Sequence, residues 1–456
     1  MLRAAVAAGH PATAEAGIEI LGAGGSAADA AVGACLASCV AETVMTGFLG
    51  GGHAIYWDAA SGEARNLDCF CAVPSGRGGD LVELQVPFGE ELVHYAVGAA
   101  SCAVPGVPAG LDALWREYGR LPWRELCEPA LRLARKGVPM PDAHVACLRM
   151  LEPVMTMREG SRIYAPEGRL LAPGERLEQP GLAAALDLVA KEGARSAYEG
   201  TIAESLLGLM EERAGVVTRA DLRAYEAVWQ NPVEVGYAGT RFLTRAGLAP
   251  IGPVLERLPR VGEEPDRTLA LLEALSDEPI QVGSHTTNLV AVDAEGSVCV
   301  LTTSLGLGSG DWLPGLDLHL NSMLGEVDLV VAPLEPGERM ASMMAPSLAV
   351  GPDGPVLAIG SAGGTRLRTA LVTVVAGILD EGLAPQAAVD RPRAHRAANV
   401  VNAEPGCDES ALAALESRGL TVRRWPARHH YFGGVSLVAA EGAAADPRRS
   451  GAALQP

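Results

Sequence analysis

The sequence predicts an α+β fold in which mixed β-sheets are covered by helices on both faces. Helical patterns are dense before residue 280, whereas strand patterns are dense after it. Hydrophobic residues make up 48% of the 456 residues and aromatic residues only 4%. A large core can therefore be buried, and its helix–sheet contacts are expected to use small and branched side chains. This order of elements fits mixed sheets better than a doubly wound α/β fold.

Four elements are predicted in the first sixty residues. They are a strand at 4–8, helices at 12–21 and 27–40, and a strand at 53–57. The first of the two helices has apolar residues at helical spacing, and Gly22–Gly25 separates it from the second. Ser26 stands where it can cap the second helix.

Further helices and three hairpins complete the predicted fold. Helical patterns cover 106–138, 181–192, 202–214 and 369–379, and Thr218 with Asp221 is typical of a capped helix start. Hairpins are predicted over 233–243, over 289–292 with 298–303, and over 347–350 with 356–359, and a late strand at 435–439.

The net charge of −19 argues against a nucleic-acid partner and against an anionic membrane. The nine cysteines are scattered, mostly in apolar runs, which favours buried reduced thiols. No His/Cys pair at zinc spacing accompanies them, so we expect no metal and no cofactor. No signal peptide is visible, and the longest uncharged run, 30–41, is too short for a membrane span. A cytoplasmic location is expected.

Thr286 stands directly before a strand-like run, and a compact Gly/Ser set follows downstream. The hydroxyl of threonine is a weak nucleophile, so a base must take its proton. A freed α-amino group on the same residue is one solution, and a cut just before Thr286 would supply it.

Other candidates are weak when taken singly. The amides of Gly363 and Gly364, between a strand and an apolar helix, could stabilise an oxyanion, although such turns are common. Ser342 lies either in an ordinary turn or in a site. Glu326 could hold a substrate ammonium or be a solvated loop carboxylate. His285 could tune a backbone cut or be an ordinary histidine, and no G-x-S-x-G elbow supports a Ser-His-Asp triad.

Taken together, these residues resemble the gamma-glutamyltransferases, also called glutathione hydrolase proenzymes, of the N-terminal-nucleophile hydrolase class. The resemblance covers nearly the whole chain, and the order of its motifs makes it specific. The motifs lie at 24–32, 49–52, 104–110, 218–225, 286–293, 342–346, 360–366 and 445–451.

The resemblance implies a four-layer αββα sandwich and self-cleavage between His285 and Thr286. A large-chain portion, 1–285, and a small-chain portion, 286–456, would stay associated as one globular domain, with a homodimer as a further possibility. Thr286 would supply both the nucleophilic hydroxyl and the basic amine.

The resemblance also implies roles for five other residues. Gly363 and Gly364 match the oxyanion-hole pair of the family. Ser304 falls where a threonine hydroxyl supports the nucleophile's amine, so a hydroxyl is kept. Ser342 matches the first of two substrate-binding serines, and Glu326 falls where an acidic residue binds the donor's α-amino group.

The substrate pocket departs from the family pattern. Phe70 occupies the place of the arginine that binds the substrate carboxylate, and it cannot make a bidentate contact. Gly306, Met343 and Met323 replace a substrate-binding Asn, the second serine and a Gln. Losing one charge-assisted contact costs ~1.5–3 kcal/mol, or roughly ten- to a hundredfold in affinity. Glutathione is therefore expected to be a poor substrate.

Three functions remain open at this point. The leading one is an autoprocessing enzyme that takes a γ-glutamyl or related acyl group from a small amide or peptide and passes it to water or an amine. The second is a cephalosporin-acylase-like amide acylase with a non-glutamyl substrate. The third is an inactive scaffold of the same fold.

Overall fold

The protein is represented by a computed structural model, which describes residues 2–88, 91–248, 250–260, 262–276, 286–326, 329–330 and 333–456. The strands are β1 (Ala5–Ala8), β2 (Gly51–Asp58), β3 (Glu63–Cys69), β4 (Val82–Phe88), β5 (Glu91–Val97), β6 (Val138–Pro139), β7 (Arg176–Leu177), β8 (Val228–Gln230), β9 (Val233–Tyr237), β10 (Thr240–Thr244), β11 (Thr287–Val292), β12 (Val298–Ser304), β13 (Ser347–Gly351), β14 (Gly354–Ala362), β15 (Ala394–Ala397), β16 (Val400–Ala403), β17 (Thr421–Arg424), β18 (Gly434–Ala439), β19 (Gly442–Ala445) and β20 (Ala452–Leu454).

The helices are α1 (Pro11–Gly22), α2 (Ala27–Ala41), α3 (Val107–Tyr118), α4 (Trp123–Lys136), α5 (Asp142–Met150), α6 (Glu152–Met155), α7 (Gly160–Tyr164), α8 (Pro180–Glu192), α9 (Ser196–Glu199), α10 (Thr201–Glu212), α11 (Arg219–Ala224), α12 (Gly252–Arg257), α13 (Asp266–Ala274), α14 (Arg366–Leu379), α15 (Pro385–Asp390) and α16 (Glu409–Ser417). The helices and hairpins predicted from the sequence are present with ends shifted by a few residues, except that the helical pattern over 106–138 forms two helices, α3 and α4.

Two large sheets form the centre of the molecule. Within the described residues, one has seven strands in the order β20-β1-β11-β12-β2-β3-β8, and the other has six in the order β19-β18-β14-β13-β10-β9. Every described pairing in these two sheets is antiparallel. The expectation of sheets mixed in strand direction is therefore wrong for both. The α+β class itself is confirmed.

Alternation along β11 shows how the layers are built. Val290 and Val292 face the second sheet, where they pack with residues such as Leu348. Leu289 and Ala291 point the other way, into a core shared with α2. Successive strand residues face opposite sides, so one strand contributes to two cores.

The second sheet repeats this arrangement on its outer face. Leu357 and Ile359 of β14 pack with α14 in a separate core. A helix layer, two sheets and a second helix layer thus lie in succession, which confirms the predicted αββα sandwich.

Capping fixes the start of α2, a helix whose residues are all buried. Ser26 caps the helix as predicted, and the side chains and amides of Ser26 and Asp29 together form a capping box. The carboxylate of Asp29 also accepts hydrogen bonds from the amides of Arg120 (2.8 Å) and Leu121 (3.2 Å). These bonds join α2 to the connection between α3 and α4, where Gly119 caps the end of α3 and Pro122 precedes the first residue of α4. The helical pattern predicted over 106–138 is interrupted there.

Other elements were not predicted from the sequence. The β4–β5 hairpin was missed, although Val82–Phe88 places an apolar residue at every second position. The small sheet of β15, β16 and β17 was missed as well, and its strands are only four residues long. Eight of the nine cysteines are buried and Cys407 is partly buried, which agrees with the prediction of buried thiols. Among the described residues, none of the helices combines the length and apolar character that crossing a bilayer requires.

Candidate active site

Thr286 lies immediately before β11 and is only 3% exposed. It is held in place by the middle of the seven-stranded sheet, because β11 pairs with β1 on one side and β12 on the other. Thr287 lies opposite Thr303 in this ladder, so continuing the register by one residue places Thr286 beside Ser304. His285, on the other side of the predicted cleavage point, lies outside the described residues.

A cleft with about 400 Å³ of empty space opens beside Thr286. Its lining is mostly apolar, with a few polar groups. The lining residues are Phe70, Thr286, Ser304, Met323, Glu326, Leu329, Ser342, Met343, Met344, Gly364 and Leu367. The structure thus brings together all but two of the predicted site residues. The exceptions are Gly363, which adjoins the cleft through Gly364, and His285.

Backbone amides orient the two serines of the cleft. The hydroxyl of Ser304 accepts a hydrogen bond from the amide of Gly306 at 3.0 Å. The hydroxyl of Ser342 accepts one from the amide of Met344 at 3.2 Å. Both serines are about 2% exposed, so each hydroxyl is a fixed polar group in a largely apolar wall.

The turn from β14 to α14 requires glycine at Gly363 and Gly364. Their φ angles are +130° and +58°, which side-chain-bearing residues rarely adopt. A Cβ on Gly363 would also lie 2.8 Å from the Cα of Gly433. The turn therefore presents bare backbone at the start of α14, where amide groups favour negative charge.

Gly306, which stands where the family has an asparagine, is explained by its neighbours. Its φ is +69°, and a Cβ there would overlap the carboxylate of Glu326 and the hydroxyl of Ser322. Glu326 is fully buried. The glycine therefore makes room for the carboxylate that lines the cleft.

The wall around Phe70 is apolar and carries no positive charge of its own. Phe70 is buried and stacks on His53, with ring centroids 5.5 Å apart. No lysine or arginine is among the described residues that line the cleft. Arg245 lies behind the wall, where its Nη1 donates to the carbonyls of Ser342 (3.2 Å) and Met344 (3.0 Å). Burial lowers the pKa of Arg245 to about 10.

A second cavity, with room for about one water molecule, also contacts Thr286 and is lined by Glu42 and Arg449 among others. The carboxylate of Glu42 accepts hydrogen bonds from the hydroxyls of Thr13 (2.6 Å) and Thr287 (2.5 Å). Burial raises the pKa of Glu42 to about 7, although both hydroxyls and Arg449 act to lower it. Glu42 was not among the site residues predicted from the sequence. Its one signal is that an isolated acid directly follows the long uncharged run.

The described part of the chain contains no group of three His, Cys, Asp or Glu side chains arranged to hold a metal ion. The groups available for chemistry at the cleft are thus hydroxyls, backbone amides and one carboxylate. Such a set is suited to acyl transfer through a hydroxyl nucleophile.

Comparison with known proteins identifies the family. The family model described as Gamma-glutamyltranspeptidase matches residues 13–255 and 262–455. The Acylase ACY 1 proenzyme of Pseudomonas sp. (strain V22) is 26% identical, over 96% of this chain and 90% of that protein. The Glutathione hydrolase proenzyme of Bacillus subtilis (strain 168) is 23% identical, over 98% of this chain and 91% of that protein.

Solved structures agree with this assignment at the level of the fold. The crystal structure of cephalosporin acylase from Bacillus halodurans superposes with a TM-score of 0.84. The match covers 99% of this chain and 96% of that one at 24% identity, so it shows a shared fold. The chain belongs to the gamma-glutamyltranspeptidase family, as an autoprocessing enzyme of the N-terminal-nucleophile hydrolase class.

Proposed function

We propose that Thr286 is the nucleophile, exposed as a new N-terminus by self-cleavage after His285. The observation that carries this proposal is the shared cleft, in which Thr286 meets Ser304, Ser342, Glu326 and Gly364. A threonine at the rim of a rigid sheet, beside a second hydroxyl and a glycine turn, has the groups that acyl transfer needs.

In the proposed reaction, the Thr286 hydroxyl attacks the carbonyl carbon of an amide and its own amine takes the proton. Negative charge then develops on the carbonyl oxygen, where the amides of Gly363 and Gly364 stabilise it. The leaving amine takes the proton as the carbon–nitrogen bond breaks, which leaves an ester on Thr286. Water or an amine acceptor then removes the acyl group.

The leading substrate is a γ-glutamyl or related acyl amide of the glutathione type. One curated relative is named a glutathione hydrolase, and Glu326 supplies a buried carboxylate that suits an ammonium group. Ser342 adds a fixed hydroxyl at the cleft wall.

The apolar lining favours a second candidate, an acylase for a less polar acyl group. Phe70, Met323 and Met343 line the cleft, and none of them can bind a carboxylate. Another curated relative is named an acylase. Both candidates use the same nucleophile and differ only in the acyl group. A cytoplasmic location and a homodimer stay predictions of the sequence.

Intact mass spectrometry tests the nucleophile. The wild-type chain of 47.1 kDa should separate into two fragments, one of which begins at Thr286. Thr286→Ala should remain a single chain and show no turnover, whereas Thr286→Ser should retain part of both activities because it keeps a hydroxyl. Cleavage at another position, or turnover by Thr286→Ala, would contradict the proposal.

Substitution of Phe70 tests the acyl group. Phe70→Arg should raise kcat/KM for a γ-glutamyl anilide relative to an uncharged acyl anilide by roughly ten- to a hundredfold, the effect of one charge-assisted contact. Phe70→Leu is the matched control, since it changes the shape of the wall without adding charge. An unchanged ratio in Phe70→Arg would show that the carboxylate of the donor does not lie at this wall.

A further inference from the structure

The second cavity that contacts Thr286 contains an acid, Glu42, with no role in the proposed turnover. We propose that Glu42 carries the proton that self-cleavage moves from the hydroxyl of Thr286 to the nitrogen of Thr286. This inference rests on the proposed function, because it assumes that Thr286 cuts the chain at its own peptide bond.

Self-cleavage needs a base other than the Thr286 amine that is proposed as the base in turnover. In the uncut chain the nitrogen of Thr286 belongs to a peptide bond, and an amide nitrogen does not accept a proton at neutral pH. The amine that would serve as base in turnover is therefore absent until the cut is made. Another group must take the proton of the hydroxyl first.

Glu42 is connected to Thr286 in two ways. Its carboxylate accepts a 2.5 Å hydrogen bond from Thr287, the next residue in the chain. It also lines the same cavity as Thr286. Thr13 holds the second carboxylate oxygen at 2.6 Å, so the orientation of the acid is fixed from two elements, α1 and β11.

The cavity has room for about one water molecule between these groups. Within the described part of the chain, Nε of Arg449 and Nδ2 of Asn288 are buried donors without a hydrogen-bond partner, and both residues line this cavity. A buried water needs two to four polar partners, and these donors with Glu42 meet that number. Such a water would connect Glu42 with Thr286.

The charged and titratable surroundings keep Glu42 able to gain and lose a proton near neutrality. The groups that face it or line its cavity are Thr13, Cys35, His144, Thr287, Asp446 and Arg449. His10 lies next to His144, with the two rings tilted by 49°. Burial raises the pKa of Glu42 to about 7, and Thr13, Thr287 and Arg449 limit the rise. A carboxylate in this range can accept a proton and then release it.

The proton balance of the step is complete. Oγ of Thr286 bonds to the carbonyl carbon of residue 285, and its proton passes through the cavity water to Glu42. The bond from that carbon to the nitrogen of Thr286 then breaks, and Glu42 returns the proton to the nitrogen. A second water hydrolyses the resulting ester, which leaves a carboxylate on residue 285 and a free amine on Thr286. One water is consumed and Glu42 ends unchanged.

The experiment follows cleavage of the full chain after cell-free synthesis and transfer to buffers from about pH 5 to 9, with intact mass as the readout. The wild-type rate should rise with pH through a midpoint near 7 and then level, because the base must be ionised. Glu42→Gln should cut at least ~100-fold more slowly and lose this midpoint, the usual contribution of a general base. Glu42→Asp keeps a carboxylate, so it should retain part of the wild-type cleavage rate and still show a midpoint in its dependence on pH.

A second variant keeps the carboxylate of Glu42 in place and so distinguishes a change in its pKa from damage to the fold. Thr13→Ala removes a donor that lowers the pKa of Glu42, so the midpoint should move upward. Each unit of upward shift should reduce the cleavage rate below the midpoint by about tenfold. Thr43→Ala is the matched control. It removes a neighbouring threonine hydroxyl that is hydrogen-bonded to Tyr164 instead, so its midpoint should match wild type.

The outcomes separate this inference from the proposed function. Cleavage of Glu42→Gln at the wild-type rate, or with the wild-type midpoint, would overturn the role of Glu42 and leave Thr286 as nucleophile. Equal midpoints in Thr13→Ala and Thr43→Ala would also overturn it, even if Glu42→Gln fails to fold. A wild-type chain that is never cut at Thr286 would instead refute the proposed function.

Discussion

Replacing Gly363 with alanine is the sharpest test of the glycine turn. The new Cβ would lie 2.8 Å from the Cα of Gly433, whereas ordinary contact begins at 3.4 Å. The turn must therefore move by roughly 0.6 Å, and its amides move with it. A misplacement of about 1 Å costs roughly 10²-fold in rate, so we expect kcat to fall by roughly 15-fold.

Backbone strain must be separated from this displacement, because φ at Gly363 is +130°. Gly442→Ala is the matched control: φ there is +142°, and a Cβ at Gly442 would meet nothing within 4 Å. Both variants should lose ~1–3 kcal/mol of folding free energy. Only Gly363→Ala should lose activity.

The assay measures kcat on a chromogenic acyl anilide, normalised to the fraction of cut chain found by mass spectrometry, together with Tm for each variant. Equal kcat in the Gly363 and Gly442 variants would refute the reasoning that places the oxyanion at this turn. Loss of kcat in both would show that strain alone explains the effect.

Two further predictions concern stability. Asp29→Ala leaves the buried amide of Ser26 and the partly buried amide of Arg120 without their acceptor, so unfolding in urea should show a loss of ~3 kcal/mol, against ~1 kcal/mol for the simpler cap variant Asp408→Ala. Burial lowers the pKa of His319 to about 3, so the native chain keeps it neutral while the unfolded chain protonates it near 6.5. The contribution of neutral His319 to the free energy of unfolding is fully present above pH 6.5, and it decreases by ~2 kcal/mol when the pH falls to 5. Tm should therefore drop between pH 7 and 5, and it should drop less steeply in His319→Gln. An equal slope of Tm against pH in the two proteins would contradict this.

Much of the fold was predictable because its signals are local. The β11–β12 hairpin is marked by two short apolar runs on either side of a turn at 294–296, and the start of α2 is marked by the cap Ser26 after Gly22–Gly25. The direction of the strands in the two large sheets has no such local signal. The direction of neighbouring strands could not be predicted, because it depends on how segments that are distant in the chain meet. The strand β1, for example, pairs antiparallel with both β11 and β20.

The candidate site divides in the same way. Thr286 and the Gly363–Gly364 turn lie at the ends of strands that could be predicted from the sequence, and the family resemblance assigned a role to each. Glu42 was missed because its partners Thr13 and Thr287 lie 29 and 245 residues away. No short-range pattern records such a contact.

The strand order of the large sheet has a consequence for the cut protein. A cut before Thr286 would leave β1, from the first fragment, between β11 and β20 of the second. In the other sheet, β10 of the first fragment would remain bonded to β13 of the second. Pulling the fragments apart would break ladders in both sheets and expose unpaired edges. The two polypeptides should therefore melt in one transition, and because unfolding then releases two separate chains, its midpoint should fall on dilution. Neither fragment should exchange with a copy from another molecule without complete unfolding.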